Sequence, residues 1–252
     1  MKPNELTGKV ALVTGASKGL GKAMALALAQ AGAKLALVSR DEMRLGETAA
    51  AIAALGGEAD VFPADVSDEA QVLALEKAVA ARLGRIHILI NNAGINLRKP
   101  MTDFTLEEWN RIQATNVTGA FLMCRSFVPH LKGQGCGRIL NLTSMMSHIS
   151  LPGRTAYSTS KAALLGFTKA LALELAPDAI TVNGISPGPC STEINQAIMQ
   201  NAELTQFFLS RIPVGRWGKP EEIGQLAVYL CSEAAAFITG TDIIIDGGWM
   251  AQ

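Results

Sequence analysis

Short runs rich in β-branched residues and leucine alternate with longer Ala/Leu-rich stretches along almost the whole chain, and no other feature constrains the fold as strongly. Residues 9–15, 34–39, 59–63, 87–91, 138–143, 181–186 and 242–246 predict seven strands. Several are apolar throughout, as strands buried on both faces must be. Between them, residues 20–31, 43–55, 69–83, 106–131, 156–175 and 221–231 predict helices. A strand followed each time by a helix returns the chain for parallel pairing through right-handed crossovers, which predicts an α/β doubly wound sandwich. There is no repeat, low-complexity tract or linker, so residues 1–252 are expected to form a single dinucleotide-binding and catalytic domain. One long irregular stretch, 187–220, with short helices around 195–210, is expected to be a substrate loop, because loops of that length in a compact domain are usually lids or binding loops.

Composition removes several functional classes. Lys and Arg number 22 against 22 Asp and Glu, and no basic run stands out. The electrostatic footprint of a nucleic-acid or anionic-membrane binder is therefore missing. No apolar stretch approaches the roughly 18 residues of a membrane span, and residues 1–6 lack the apolar core of a secretion signal. Cys124, Cys136, Cys190 and Cys231 are scattered without a C-x-x-C pair, which fits a reducing cytoplasm rather than a disulfide framework. His87, His130 and His148 have no metal-ligand spacing, and no metal is expected.

The turn from the first strand to the first helix reads Thr14–Gly15–Ala16–Ser17–Lys18–Gly19–Leu20–Gly21. Glycines there permit a tight turn and let backbone amides and the positive helix end approach a pyrophosphate. The spacing is G-x3-G-x-G rather than G-x-G-x-x-G, so its position between strand and helix carries the reading. The alternative is an ordinary strand-to-helix turn. At the end of the second strand, where an NAD-binding fold usually places an acid, stands Ser39, followed by Arg40. With Lys18 nearby, two cations and a hydroxyl suit a 2′-phosphate, favouring NADP(H) over NAD(H). The competing reading makes both cations solvated surface charges and Asp41 a helix cap.

Tyr157 and Lys161 lie four residues apart on a predicted helix, about 6 Å along one face. A free phenol titrates near pH 10, and lowering it by about three units takes roughly 4 kcal/mol. A neighbouring ammonium together with an oxidised nicotinamide is expected to supply this. Such a pair alone is most often an amphipathic surface pair. Ser144 changes the reading because it lies just past a strand, at the carboxyl end of the sheet where ligands bind. Asn116, inside the preceding helical stretch, is a fourth polar residue, with hydrogen bonding to helix backbone as its alternative role.

Taken together, Thr14–Gly15–x3–Gly19–x–Gly21, Asn91–Asn92–Ala93–Gly94, Asn116, Ser144, Tyr157–x3–Lys161 and Pro187–Gly188 resemble, in order and over nearly the whole chain, the short-chain dehydrogenase/reductase family. The resemblance implies a seven-stranded Rossmann-type fold, usually as a homotetramer, and an oxidoreductase that moves a hydride between a nicotinamide cofactor and a small-molecule alcohol or ketone. It implies that Tyr157 is the general acid/base, that Lys161 lowers its pKa and holds the nicotinamide ribose, and that Ser144 orients the substrate oxygen. Asn116 would anchor a water relaying protons through Lys161. Asp65 and Val66 would meet the adenine, Asn92, Ala93 and Gly94 would wall the cofactor, and Pro187, Gly188 and Thr192 would meet the carboxamide.

Substrate choice rests on loops. Asn96, Leu97, Arg98, Met145, Met146, His148, Arg154, Cys190 and Ile194 are pocket candidates. Residues 91–98 and 144–147 look similar to family members that oxidise gluconate or related sugar acids, and Arg98 or Arg154 suits a carboxylate. As single residues both also read as solvated loop charges or intersubunit ion pairs, and His148 as a packed loop histidine. Met145 and Met146 are equally compatible with a lipid-like ketone, so a 3-oxoacyl-carrier-protein reductase is the alternative enzyme, although no basic patch for an acidic carrier protein is evident. An NADP-binding sensor or structural protein on the same fold would be free to lose Tyr157, Lys161 or Ser144, yet all three are present.

Overall fold

In the computed structural model, which describes residues 5–252 apart from the side chain of Ile194, seven strands form one all-parallel sheet. They are β1 (Val10–Thr14), β2 (Lys34–Ser39), β3 (Ala59–Pro63), β4 (Ile88–Asn91), β5 (Gly137–Leu142), β6 (Ile180–Pro187) and β7 (Asp242–Ile245), in the order β3-β2-β1-β4-β5-β6-β7. Each predicted strand is present within a residue or so at either end. Ile194, one of the pocket residues suggested by the sequence, has its side chain outside the described residues.

Period-2 alternation sorts the strand side chains into two cores. In register across the sheet, Ala36, Leu12, Leu89, Ile139 and Val182 form one buried row. It packs under α3 (Glu69–Leu83), α5 (Gly119–Leu131) and α6 (Thr155–Leu175). The next row, Leu37, Val13, Ile90 and Leu140, faces the other way. It meets α1 (Gly19–Gln30), α2 (Glu42–Ala54) and α9 (Pro220–Cys231). A one-residue slip of any strand would exchange its rows, so the register is fixed by burial on both faces. Helices α1 and α9 approach closely at Gly224, where a Cβ would lie 2.9 Å from both the Ala23 carbonyl oxygen and the Ala27 Cβ.

The predicted helix 106–131 differs in one respect. It begins at α4 (Leu106–Gln113), opened by a Thr105–Glu108 capping box, and reaches α5 only through a π-helical turn at Ala114–Thr118. The extra residue in a π turn rotates the side chains that follow it, and here it carries Asn116 into the interior at 1 % exposure. The irregular stretch after β6 contains two short helices, α7 (Gln196–Met199) and α8 (Ala202–Leu209). Ile198, Phe208 and Ile212 from this stretch pack with Met145, Met146 and Trp249, which ties it to the loop after β5. Among the described residues no helix is long and apolar enough to cross a membrane.

Candidate active site

Strand order reverses between β1 and β4, and their loops must diverge there, leaving a crevice at the carboxyl ends of the strands. A cleft of about 980 Å³ occupies this place. Thr14 holds its base together. Its buried hydroxyl donates to the Ile90 carbonyl at 3.2 Å and accepts from the Asn92 and Ala93 amides at 2.9 and 3.0 Å. The Asn92 side chain donates back to the Thr14 carbonyl at 2.8 Å. Gly15 and Gly19 have φ of +65° and +55°, and a Cβ on Gly15 would lie 2.7 Å from Asn92 Nδ2. Gly21 is tighter still, with its Cβ position 2.2 Å from the Gly15 carbonyl oxygen, so it closes the turn and does not line the cleft. Lys18, at the N-cap of α1, makes no side-chain cap bond, which leaves the first amides of the helix free for a ligand. An open helix start, two left-handed glycines and an adjoining cleft together fit a dinucleotide pyrophosphate.

Every residue assigned from the sequence to cofactor binding lines this cleft: Gly15, Ser17, Lys18, Gly19, Leu20, Ser39, Arg40, Asp65, Val66, Asn92, Ala93, Gly94, Tyr157, Lys161, Pro187, Gly188 and Thr192. At the end of β2, Asp41 caps α2 by accepting the Arg44 amide at 3.1 Å, as its alternative reading held. Arg40 is not a free surface charge. Its guanidinium lies 3.4 Å from Asp65, with 68 % of the side chain exposed. Two bonds from Ser67 hold Asp65, and with the cationic Arg40 they more than offset burial and keep its carboxyl below the ordinary range.

At the other end of the cleft, the Ser144 hydroxyl accepts the Met146 amide at 3.1 Å and hydrogen-bonds the Tyr157 phenol. Lys161 is buried, its ammonium donating to the Leu142 carbonyl at 2.5 Å and lying 5.8 Å from the centroid of the Tyr157 ring. Asn116 stands one layer beneath. Its Oδ1 accepts the Ile95 amide at 2.8 Å, and its Nδ2 donates to the Ile95 carbonyl at 3.0 Å and to Ser160 at 2.9 Å. Asn116 and Lys161 converge on Gly94, whose Cβ position is 3.3 Å from Asn116 Oδ1 and 3.5 Å from Lys161 Nζ.

Burial pushes the Tyr157 phenol above its ordinary value, against a hydrogen bond from Ser144 and the fields of Arg154 and Arg98. Burial brings the Lys161 ammonium down to about 8.

Of the pocket residues suggested by the sequence, Asn96, Arg98, Met145, Met146, Arg154 and Cys190 line the cleft, while Leu97 and His148 do not. His148 pairs with Asp242 at 2.7 Å. The Cys190 thiol is pushed up to about 12 by burial, which leaves it unreactive. Arg111, Thr115 and Phe208 also line the cleft, though the sequence reading missed them. The spacing of four between Arg111 and Thr115, directly before Asn116, could have placed those two on one helical face. Nothing in the sequence marked Phe208.

Comparison with known proteins agrees with this geometry. The family model described as enoyl-(acyl carrier protein) reductase matches residues 15–250. Gluconate 5-dehydrogenase of Gluconobacter oxydans is 35 % identical over 243 residues, covering 96 % of this chain and 95 % of that protein. The 3-oxoacyl-[acyl-carrier-protein] reductase of Thermotoga maritima is 37 % identical over 243 residues, covering 96 % and 98 %. The crystal structure of a gluconate 5-dehydrogenase from Burkholderia cenocepacia, in complex with NADP and tartrate, superimposes with a TM-score of 0.94 at 34 % identity, covering 99 % of this chain and 98 % of that one. The chain belongs to the short-chain dehydrogenase/reductase family and is an oxidoreductase acting on CH–OH groups.

Proposed function

We propose that the protein is an NADP-dependent dehydrogenase of a sugar acid or similar hydroxy-carboxylate, with an activity like that of gluconate 5-dehydrogenase. One observation carries the substrate class. Arg98 and Arg154 open onto the same cleft as Ser144 and Tyr157, and neither has a carboxylate partner among the described residues. Desolvation lowers both guanidinium groups, that of Arg154 to about 10. A cation withdrawn from water without a counter-charge is costly, and a substrate carboxylate would supply the missing partner. The Burkholderia cenocepacia enzyme, which holds NADP and the dicarboxylate tartrate, supports both the cofactor and an acidic ligand.

The residues of this chain then divide the work. The amides at the start of α1 and the glycine turn would hold the pyrophosphate, Arg40, Lys18 and Ser39 the 2′-phosphate, and Asp65 and Val66 the adenine. Asn92, Ala93, Gly94, Pro187, Gly188 and Thr192 would flank the nicotinamide half. Bound NADP supplies hydride acceptance in oxidation and hydride donation in reduction. Ser144, fixed by the Met146 amide, orients the substrate oxygen towards Tyr157, which takes its proton in oxidation and returns it in reduction. Asn116 pins Ile95 through both amide groups and so sets the position of Gly94 beside Lys161. The stretch 187–220 would serve as the substrate loop.

An acyl-thioester reductase is the second reading, favoured by the apolar Met145, Met146 and Phe208 in the cleft wall. These side chains are largely spent on packing against one another and Trp249, which leaves them little surface for an acyl chain. The test is steady-state kinetics of Arg98→Ala and Arg154→Ala on gluconate-type acids and on neutral polyols of similar size. A KM increase confined to the acids supports the reading, because it marks lost ground-state binding. Equal behaviour towards acids and polyols in both variants would remove it.

A further inference from the structure

The turn that carries Ser144 is anchored at both ends by one acid, on a strand that lines no part of the cleft. Asp242 opens β7, and its side chain is only 9 % exposed. Its Oδ1 accepts from the Thr143 hydroxyl at 2.6 Å. Its Oδ2 accepts from the Ser186 hydroxyl at 2.6 Å and lies 2.7 Å from His148 Nε2. The Thr143 hydroxyl is also 2.6 Å from the Ile185 carbonyl, but that carbonyl already accepts the Thr143 amide at 2.9 Å. The hydroxyl proton is therefore left for the carboxylate. With a proton on Nε2 of His148, three donors satisfy the two oxygens. A Cβ at Gly184, the register partner of Asp242 on β6, would overlap Oδ1, so the sequence leaves room for the acid at that point.

Thr143 directly precedes Ser144, and His148 directly follows the 3₁₀ turn Met145–Ser147 that Ser144 caps. Between these anchors the turn is bonded to itself. The Ser144 hydroxyl accepts the Met146 amide at 3.1 Å, and the Met145 carbonyl accepts the His148 and Ile149 amides at 3.1 and 3.0 Å. Such a turn moves as a unit, and its direction is set at its two ends, both of which rest on Asp242. The third partner, Ser186, directly precedes Pro187 and Gly188 in the cleft wall. Holding β7 in the sheet requires no charge. Its backbone already pairs with β6 from Gly184 to Pro187, with the Gly188 amide donating to the Ile245 carbonyl at 2.9 Å. An apolar residue would serve there without the desolvation cost of a buried acid.

We propose that Asp242 is a positioning residue for the reaction: through Thr143 and His148 it fixes the direction in which the Ser144 hydroxyl meets the substrate oxygen. The inference rests on the reading of Ser144 as the group that orients that oxygen, and it holds for an acidic or a neutral substrate alike.

Asp242→Asn keeps the size of the side chain but replaces one acceptor oxygen by a donor, which cannot serve the partners on that side. Amide hydrogen exchange of the cofactor-free protein reads the turn without turnover. Exchange over residues 145–149 should quicken, on the order of tenfold for the loss of a hydrogen bond to a charged group, while β1 and α1 exchange as before. Turnover is measured with NADP+ and whichever of gluconate and a neutral polyol the unaltered protein oxidises faster. Here kcat should fall roughly 10- to 100-fold, the scale of a small misplacement of a positioned group. The Kd for NADPH should change little, because α1 and β2 lie in the other half of the sheet. His148→Phe removes one anchor at a partly exposed position and should shift both readouts the same way by less, which keeps the test open if Asp242→Asn does not fold. In a Ser144→Ala background neither substitution should lower kcat further, whereas a general loss of stability would. Unaltered exchange over the turn, or a kcat loss that adds to that of Ser144→Ala, would overturn the proposal. If Ser144→Ala itself leaves kcat intact, the reading of Ser144 fails and this inference with it. If Ser144→Ala removes turnover while Asp242→Asn and His148→Phe leave it intact, the reading of Ser144 stands and this inference alone fails.

Discussion

Replacing Arg40 by alanine should separate the two nicotinamide nucleotides. In the structure the Arg40 guanidinium rests on Asp65 at 3.4 Å, an ion pair with 68 % of the arginine side chain exposed. Exposed pairs of this kind contribute about 0–1 kcal/mol, so Arg40 can leave Asp65 for a phosphate at little cost. A charge-assisted hydrogen bond to the 2′-phosphate would return about 1.5–3 kcal/mol. The net loss on truncation is about 0.5–3 kcal/mol, or roughly 2- to 150-fold in Kd for NADPH. Asp65 should stay in place without its arginine, because the Ser67 amide and hydroxyl bond it at 2.9 and 2.6 Å. NADH has no 2′-phosphate and should bind as before. Titration calorimetry of both nucleotides, at low and high salt, would measure the difference, and the NADPH penalty should shrink as salt screens the charge. Equal losses for NADPH and NADH would refute the reasoning, as would an unaltered protein that prefers NADH.

Two further outcomes follow from the same geometry. Gly21→Ala would place a Cβ 2.2 Å from the Gly15 carbonyl and 2.4 Å from Asn92 Nδ2, neither of which is a flexible side-chain end free to yield. Thermal melts should show a loss of about 1–3 kcal/mol together with weaker nucleotide binding, and an unchanged melting temperature would contradict the tight turn. Lys161→Met should stabilise the cofactor-free protein at pH 7 even as it abolishes activity. The folded-state pKa of about 8 lies below the ordinary 10.5, so the folded form binds fewer protons between those values and stability rises with pH across that window. Below about pH 8 the penalty is fully present, and removing the charge relieves at most about 3 kcal/mol, less about 1 kcal/mol for the lost bond to Leu142. The gain should shrink by pH 10, and a variant less stable than the original protein at pH 7 would sink the argument.

Most of the fold was legible because burial on both faces leaves continuous apolar runs in β1, β2 and β4, while Ala/Leu-rich helices separate the strands. The cofactor cleft was legible for a related reason. Ligands of a doubly wound sheet collect where strand order reverses, and the glycine turn and residues 91–94 occupy that point in sequence order. Less visible was anything decided by side-chain direction. A helical pattern over 106–131 cannot show the π turn that carries Asn116 inward, since one extra residue in a long apolar-polar pattern leaves no mark of its own. Thr14 reads as the last residue of a strand, and its three-way clamp on Ile90, Asn92 and Ala93 exists only once β4 lies alongside β1. The spacing of Tyr157 and Lys161 put both on one helical face, but not the bond from the lysine to Leu142 or its approach to Gly94. Arg98 and Arg154, 56 positions apart by subtraction of their sequence numbers, come to one cleft with Tyr157 only through the tertiary fold.

The central claim is that Tyr157 carries the proton while NADP carries the hydride in the dehydrogenation of a hydroxy-acid. Nucleotide absorbance at about 340 nm, the reduced-nicotinamide signal of a hydride-transfer cofactor, follows this directly, with NADP+ and gluconate-type acids as substrates for the unaltered protein and for Tyr157→Phe. The unaltered protein should reduce the nucleotide. The variant should lose roughly 10²–10⁴-fold in kcat, the usual worth of general acid/base catalysis, while its Kd for NADPH changes little. A variant retaining more than about a tenth of kcat, or an unaltered protein that reduces no nucleotide with any hydroxy-acid, would contradict the account.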